Sequence, residues 1–302
     1  MQADALRRFQ GGVHDTSGGD FRMKRRIPPF ASACFALLLL LASAALSPGG
    51  DEGSRLYPVV RGGKWGYIDN TGKVAIEPRF GAAFHFSDGL APVQVGSGRE
   101  GKRGYIDRTG KVAIPPEYDS AFSFSDGRAV AVTGGKGRYI DRKGKVVLDT
   151  SRFDVVMPFF EGRAIAMIDD RWGFLDRSGK VVIETKWDGA FPFSGGLAAV
   201  NRGGRYLQAP APRIEGGKWG FVDPSGKVVI EPAFDFVMKF TEGMCPAMEQ
   251  GKWGYIDRDG KFVIPPRFDE AKEFDGGLAR VKVGAKVGYI DPAGRYVWEP
   301  VE

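Results

Sequence analysis

Residues 64–80 read Lys64-Trp65-Gly66-Tyr67-Ile68-Asp69-Asn70-Thr71-Gly72-Lys73-Val74-Ala75-Ile76-Glu77-Pro78-Arg79-Phe80, and the chain carries seven copies of this stretch. The others begin at Lys102 (KRGYIDRTGKVAIPPEY), Lys136 (KGRYIDRKGKVVLDTSRF), Arg171 (RWGFLDRSGKVVIETKW), Lys218 (KWGFVDPSGKVVIEPAF), Lys252 (KWGYIDRDGKFVIPPRF) and Lys286 (KVGYIDPAGRYVWEP). Their first-turn aspartates are Asp69, Asp107, Asp141, Asp176, Asp223, Asp257 and Asp291, spaced by 38, 34, 35, 47, 34 and 34 residues. Self-similarity at such a period is the signature of a propeller or solenoid built from one supersecondary unit.

Each copy predicts a β-hairpin. β-Forming residues flank a four-residue turn whose first position is always aspartate, a side chain that hydrogen-bonds its own turn backbone. The fourth position is always glycine: Gly72, Gly110, Gly144, Gly179, Gly226, Gly260 and Gly294. A type I turn leading into a bulge needs positive φ there. These seven aspartates are therefore read as turn residues, not as metal ligands or catalytic acids.

Between hairpins runs a second recurrent stretch, exemplified by Tyr118-Asp119-Ser120-Ala121-Phe122-Ser123-Phe124-Ser125-Asp126-Gly127. Its counterparts start at Phe80, Phe153, Trp187, Phe234 and Phe268, with a second aromatic six residues on at Phe86, Phe159, Phe193, Phe240 and Phe274. A glycine and a short apolar strand follow, so a unit holds about three strands and an aromatic-pinned crossover. Alternation places Trp65 and Tyr67 on one strand face and Gly66 and Ile68 on the other. Neither face is polar, which predicts sheets covered on both sides by their neighbours. The expected fold is all-β: a tandem repeat of about 35 residues in seven units forming a propeller-like ring, with an open β-solenoid as the alternative. One domain spans residues 46–302, with an insertion near 201–215.

Residues 1–45 read differently. Met23-Lys24-Arg25-Arg26 is cationic, Phe35 to Leu41 is apolar, and Ala42-Ser43-Ala44-Ala45 is small, which are the three parts of a secretory signal peptide. The apolar run is shorter than the ~20 residues that span a bilayer, so no membrane span is expected after cleavage. The start could be Met1 or Met23. Ala31-Ser32-Ala33-Cys34 precedes the apolar run and is not read as a lipidation site. Cys245 is then the one cysteine left, and stability must come from packing, not disulfides. The formal charge of +6 does not point to nucleic acid, because residues 1–45 supply six basic against three acidic groups and later charges alternate in sign.

The repeated K-W-G-Y-I-D-x-x-G-K-x-V-I-x-P resembles the bacterial WG-containing repeat, named for its Trp-Gly pair, over residues 56–302. Trp-Gly stands at Trp65-Gly66, Trp172-Gly173, Trp219-Gly220 and Trp253-Gly254, and is replaced at Arg103-Gly104, Gly137-Arg138 and Val287-Gly288. The resemblance implies a bacterial origin and a repeat scaffold, and it implies no reaction, cofactor or catalytic residue.

Little in the residues suggests chemistry. After the signal, one histidine (His85) and one cysteine (Cys245) remain, too few for a His/Cys zinc site. His85 is read as a surface residue and Cys245 as a packed core thiol. Glu77, Glu184, Glu231 and Glu299 recur at one repeat position, which points to a scaffold role. Asp169-Asp170 lies where a turn is expected, and the glycine pairs precede strands, so no phosphate-cradling loop is supported. Trp65, Trp172, Trp219 and Trp253 either fill the gaps between units or stack on a sugar ring, and packing is the preferred reading. Arg205 and Tyr206, in the insertion, are further candidate ligand contacts, since loops on rigid scaffolds often carry binding. The expected function is a non-catalytic exported scaffold, without cofactor or metal, that binds a protein or a cell-envelope glycan in the periplasm, at the surface or outside. The alternative is a secreted glycan-active enzyme, which would need two or three acids clustered at one mouth of the ring.

Overall fold

The computed structural model describes residues 55–301, apart from residues 97, 99, 100 and 208–212. The export signal read from residues 1–45 lies outside the described residues. Among the described residues seven antiparallel sheets follow one another along the chain, and no α-helix occurs. The first sheet comprises β1 (Tyr57–Arg61), β2 (Lys64–Ile68) and β3 (Val74–Phe80). The second is ordered β4 (Ala82–Ala83), β5 (Leu90–Val95), β6 (Lys102–Asp107) and β7 (Val112–Tyr118), and the remaining five repeat this four-stranded, propeller-like plan. The two-residue strand comes from the crossover, where sequence reading expected no pairing. Ala82 and Ala83 pair with Gln94 and Val93, and the crossover of every later unit contributes to its sheet in the same direction of chain travel.

The turns follow the chemistry of their residues. At the first, Gly72 N–H donates to Asp69 O (3.1 Å), and Asp69 Oδ1 accepts the N–H groups of Thr71 (2.9 Å) and Lys73 (3.0 Å). All seven turn glycines have φ between +77° and +86°, where a Cβ is disfavoured.

The Trp-Gly pair also has a geometric cause. Trp65 pairs with Phe80 but Tyr67 pairs with Ile76, so Glu77-Pro78-Arg79 bulges across Gly66. A Cβ on Gly66 would lie 2.5 Å from Ile76 O and 2.6 Å from Pro78 N. The bulged strand presses in the same way on Gly104, Gly173, Gly220, Gly254 and Gly288. Glycine is the residue that lets the last strand of each such sheet approach this closely.

The hydrophobic core is a series of six joints, each formed by the trailing face of one sheet and the leading face of the next. The centre of every joint is an aromatic pair: Tyr67–Phe86 (5.0 Å), Tyr105–Phe124 (4.9 Å), Tyr139–Phe159 (4.9 Å), Phe174–Phe193 (5.0 Å), Phe221–Phe240 (4.9 Å) and Tyr255–Phe274 (4.9 Å). Small leading-face residues such as Ala91, Ala129, Ala164, Ala198 and Ala279 leave room for these rings. Where the ring is tyrosine, its hydroxyl donates to a crossover carbonyl of the next sheet, as from Tyr67 to Phe84 O (2.7 Å) and from Tyr139 to Met157 O (2.6 Å). Burial raises the pKa of these hydroxyls well above the ordinary tyrosine value, so they stay neutral donors.

Candidate functional site

The tryptophans named as candidate contacts are part of the joints. Trp172, Trp219 and Trp253 are buried and Trp65 is partly buried. Trp219 stacks on Phe191 (4.5 Å, 6° between planes), and Trp253 meets Phe236 edge-on at 6.0 Å. Burial of Trp172, Trp219 and Trp253 leaves little area on which a sugar could stack, and Trp65 is half-buried against the first joint.

Two rows of carboxylates outside the hairpin turns are also engaged, whereas Glu77, Glu184, Glu231 and Glu299, which recur at one repeat position, are exposed. The acid that follows the last aromatic of a sheet joins two structural elements. Asp235 accepts from Lys218 Nζ of the preceding sheet (2.6 Å) and from Gln250 N–H of the following one (2.7 Å). Asp269 does the same with Lys252 (2.6 Å) and Gly284 N–H (2.6 Å), and Asp119 and Asp188 pair with Lys102 and Arg171. The hydrogen bond from the lysine, helped by the backbone N–H, holds the Asp119, Asp235 and Asp269 carboxyls below their ordinary pKa.

A second row runs along the tight turns that precede the second strand of each sheet. Asp88, Asp126, Glu161 and Glu242 have φ of 50°, 55°, 50° and 50°. Asp88 and Asp126 each accept one N–H from the next sheet's turn, Gly127 (2.8 Å) and Gly162 (3.0 Å). Glu161 accepts two, from Gly195 (2.8 Å) and Gly196 (2.9 Å), and Glu242 takes the same role toward Gly276 and Gly277. Acids therefore do line one end of successive sheets, but each is spent as a hydrogen-bond acceptor between neighbours. Sequence reading missed both rows. The signal was available, since Tyr118-Asp119, Phe153-Asp154, Trp187-Asp188, Phe234-Asp235 and Phe268-Asp269 recur at one repeat position.

The insertion breaks the regularity. It extends two strands of the fifth sheet to Ala198–Leu207 and Arg213–Val222, which pair as one long antiparallel ladder. Positive φ at Gly203 (85°), Gly216 (71°) and Gly217 (71°) turns the backbone at its base. There the buried Asn201 accepts Gly204 N–H (3.0 Å) and donates to Gly216 O (3.3 Å). Beyond this bend Tyr206 and Ile214 are cross-strand partners and share one face. Tyr206 lies edge-on to Trp172 of the fourth sheet (5.4 Å, 80°). Ile214 covers Gly189, where a Cβ would sit 2.7 Å from it. The other face is charged and open: Arg205 and Arg213 both reach Glu215 at 3.6 Å, with all three side chains about half exposed or more. Of the two insertion candidates, Tyr206 is thus a packing contact and Arg205 a solvent-facing one.

His85 is exposed and Cys245 is buried. Burial raises the pKa of the Cys245 thiol, which approaches Met238 O at 3.3 Å. Asp169 and Asp170, with φ of 49° and 60°, form a tight hairpin turn, and Asp169 N–H donates to Asp154 (2.8 Å). Among the described residues no group of three or more His, Cys, Asp or Glu is placed to hold a metal ion, and no helix is long and apolar enough to cross a membrane.

Comparison with curated proteins gives no match. Among solved structures, a eukaryotic initiation factor is similar over 81% of this chain and 72% of its own, at 12% identity and a TM-score of 0.52, a likeness of fold alone. The extracellular domain of a one-component system from B. thetaiotaomicron matches over 83% of this chain and 41% of its own, at 12% identity and a TM-score of 0.40. The dihydro-heme d1 dehydrogenase NirN matches over 87% and 75%, at 13% and 0.36. The model of the WG containing repeat matches six times, at residues 65–98, 104–136, 138–172, 172–206, 219–253 and 253–286. These matches fall on the units that form the successive sheets and cover most of the chain, which belongs to the WG containing repeat family.

Proposed function

We propose that this chain is an exported, non-catalytic scaffold that holds a protein or an envelope polysaccharide on the charged face of its long hairpin. The observation that carries the reading is how the side chains are used. Tryptophans fill joints and the acids of the two rows accept hydrogen bonds between sheets, whereas Arg205, Arg213 and Glu215 stand exposed on an insertion that departs from the repeat. A rigid base carrying an irregular, exposed insertion is a common way to present a binding surface. The glycan-active alternative needs two carboxylates free for acid and base work, roughly 5–10 Å apart. The acids aligned at one end are instead tied to backbone N–H groups.

The test is retention on insoluble cell-wall material and capture from envelope extract, comparing the intact chain with Arg205→Glu/Arg213→Glu. Loss of retention with an unchanged unfolding transition is expected. Retention equal to that of the parent would remove the hairpin from the function, and turnover of a cell-wall glycan by the purified chain would replace the reading with the enzymatic one. Export carries its own test. The mature protein is expected to begin near Ala45 or Leu46, and N-terminal sequencing that found an intact Met1 or Met23 end on exported protein would refute it.

A further inference from the structure

The six internal joints have a counterpart at the two ends of the chain that the repeat itself does not cover. Tyr289 of the last sheet stands in register with Tyr67, Tyr105, Tyr139, Phe174, Phe221 and Tyr255, none more than 1% exposed, yet it is 40% exposed. Trp298 occupies the place of Ile76, Ile114, Ile183, Ile230 and Ile264, at most 5% exposed, and is 59% exposed. Leu278, in the place of the buried Leu90 and Leu197, is 37% exposed beside them. On the first sheet the leading face is also uncovered. Tyr57 is 41% exposed, and Val59 and Ile68 are partly exposed, where Ala91, Val93 and Ile106 are buried in the second sheet.

The same mismatch shows at the turn glycines. In internal joints the turn glycine of one sheet rests on an isoleucine, or in one case Leu148, of the sheet before it: a Cβ on Gly110 would lie 3.0 Å from Ile76, and one on Gly294 3.2 Å from Ile264. Gly72 has nothing within 4 Å. The last sheet therefore has a large ring with no glycine over it, and the first has a glycine with no side chain beneath it.

We propose that these two faces are halves of one head-to-tail joint, and that the occupant of the last sheet's face is the first sheet of a second copy of this chain. The argument is continuity with an interface the chain already forms six times, in the same register. The substitutions at the ends fit an altered version of it. Among the described residues the first sheet has three strands, and the sequence places Gly50 and Glu52 where the second unit has Phe84 and Phe86. Residues 46–54 (Leu-Ser-Pro-Gly-Gly-Asp-Glu-Gly-Ser) hold no aromatic and one large apolar residue, so the preceding segment does not carry the missing rings. Tyr57 in place of a small residue, and Trp298 in place of isoleucine, restore aromatic area to a joint whose first unit has glycine and glutamate where the second has Phe84 and Phe86. The two faces differ, so the contact is heterologous: it extends into a row or closes into a ring of copies.

Sedimentation of the full chain over a wide concentration range, with Trp298→Glu, Tyr57→Glu and their mixture, tests this. Both positions are exposed, and circular dichroism checks that each variant folds. The parent is expected to associate with rising concentration, and each variant alone to lose at least tenfold in association. The 1:1 mixture, having one intact head and one intact tail, should form a dimer that grows no further. A parent that stays monomeric at all concentrations would overturn the proposal, whether its own first sheet or the upstream segment covers the face. Association that survives either substitution, or variants that fail to complement in the mixture, would overturn it as well.

Discussion

The third and sixth sheets have nearly the same sequence pattern and differ where the family takes its name. In the sixth, Trp253-Gly254 faces a seven-residue last strand, Phe262–Phe268, which bulges over Gly254. In the third, the pair reads Gly137-Arg138 and the last strand is reduced to Val146–Leu148. Thr150 Oγ1 caps the freed Gly137 carbonyl at 2.6 Å, and a cleft of about 440 Å³ opens beside Lys136, Arg138, Leu148 and Phe153. With no strand pressing on it, position 138 tolerates an exposed arginine. The Tyr139–Phe159 joint nevertheless forms at the same 4.9 Å as Tyr255–Phe274. Glycine and bulge thus come and go together at the outer part of a sheet, and both persist where the tryptophan is replaced by Arg103 or Val287, whereas the aromatic pair is kept in all six joints and holds the succession together.

The sharpest way to break this comparison is to put one side chain at both places. Gly254→Val sets a branched side chain against backbone, with Pro266 N 2.8 Å from the new Cβ. It should cost more than about 4 kcal/mol, the range reserved for overpacking and backbone clashes. Arg138→Val, at the equivalent position, should stay within about 0.5 kcal/mol. Similar denaturation midpoints for the two would show that the bulge is not what demands glycine. Next in size, Trp253→Ala and Trp219→Ala should each cost roughly 3–5 kcal/mol, as deletions of buried aromatics do, and so should Tyr139→Ala in the tryptophan-free sheet. The losses should be confined to the sheet concerned and its neighbours, which amide exchange would read. Trp variants that unfold like the parent but no longer bind cell-wall material would instead make the rings ligand contacts. Smaller again, Gly260→Val should cost about 1–2 kcal/mol or more through its positive φ, with Asp259→Asn nearly neutral. Equal effects would contradict the turn geometry.

How much of this was legible in the chain follows from what repeats. The seven hairpins, their Asp and Gly turn positions and the second aromatic of the crossover all recur at fixed spacing, and each has a local physical cause that sequence displays. The fourth strand did not show because a two-residue strand such as Ala82–Ala83 has no alternation to detect. The bulge was hidden for another reason: it depends on the pairing of Trp65 with Phe80 while Tyr67 pairs with Ile76, a register that exists only once the strands meet. The insertion was visible as extra length. Its fold-back was not, because the Tyr206–Trp172 contact joins different sheets. Asp119 and its equivalents recur as regularly as the turn aspartates, but their bridging role was not legible because their partners, such as Lys218 and Gln250 for Asp235, lie on two different sheets.

The mildest difference between regular and irregular sheets lies in the Lys–Asp clips. In the regular units the partners are 17 residues apart, as in Lys218–Asp235, whereas in the third unit an added residue separates Lys136 from Asp154 by 18, and no ion pair joins them. Lys218→Met should therefore cost no more than about 1 kcal/mol, the scale of an exposed, solvent-screened pair, and Lys136→Met should cost nothing measurable. Acid provides a second reading of the same contact. The hydrogen bond from Lys218, followed by the backbone N–H of Gln250, lowers the Asp235 pKa in the folded chain. A carboxyl depressed on folding contributes stability above its unfolded pKa of about 3.9 and loses it as pH falls through the folded value. The unfolding temperature of the parent should thus show no change from this group between pH 7 and 5 and should fall below about pH 4, and Lys218→Met should make that fall shallower. An acid limb unaltered by Lys218→Met, or one altered equally by Lys136→Met, would show that the clips do not contribute to the strength of the joints.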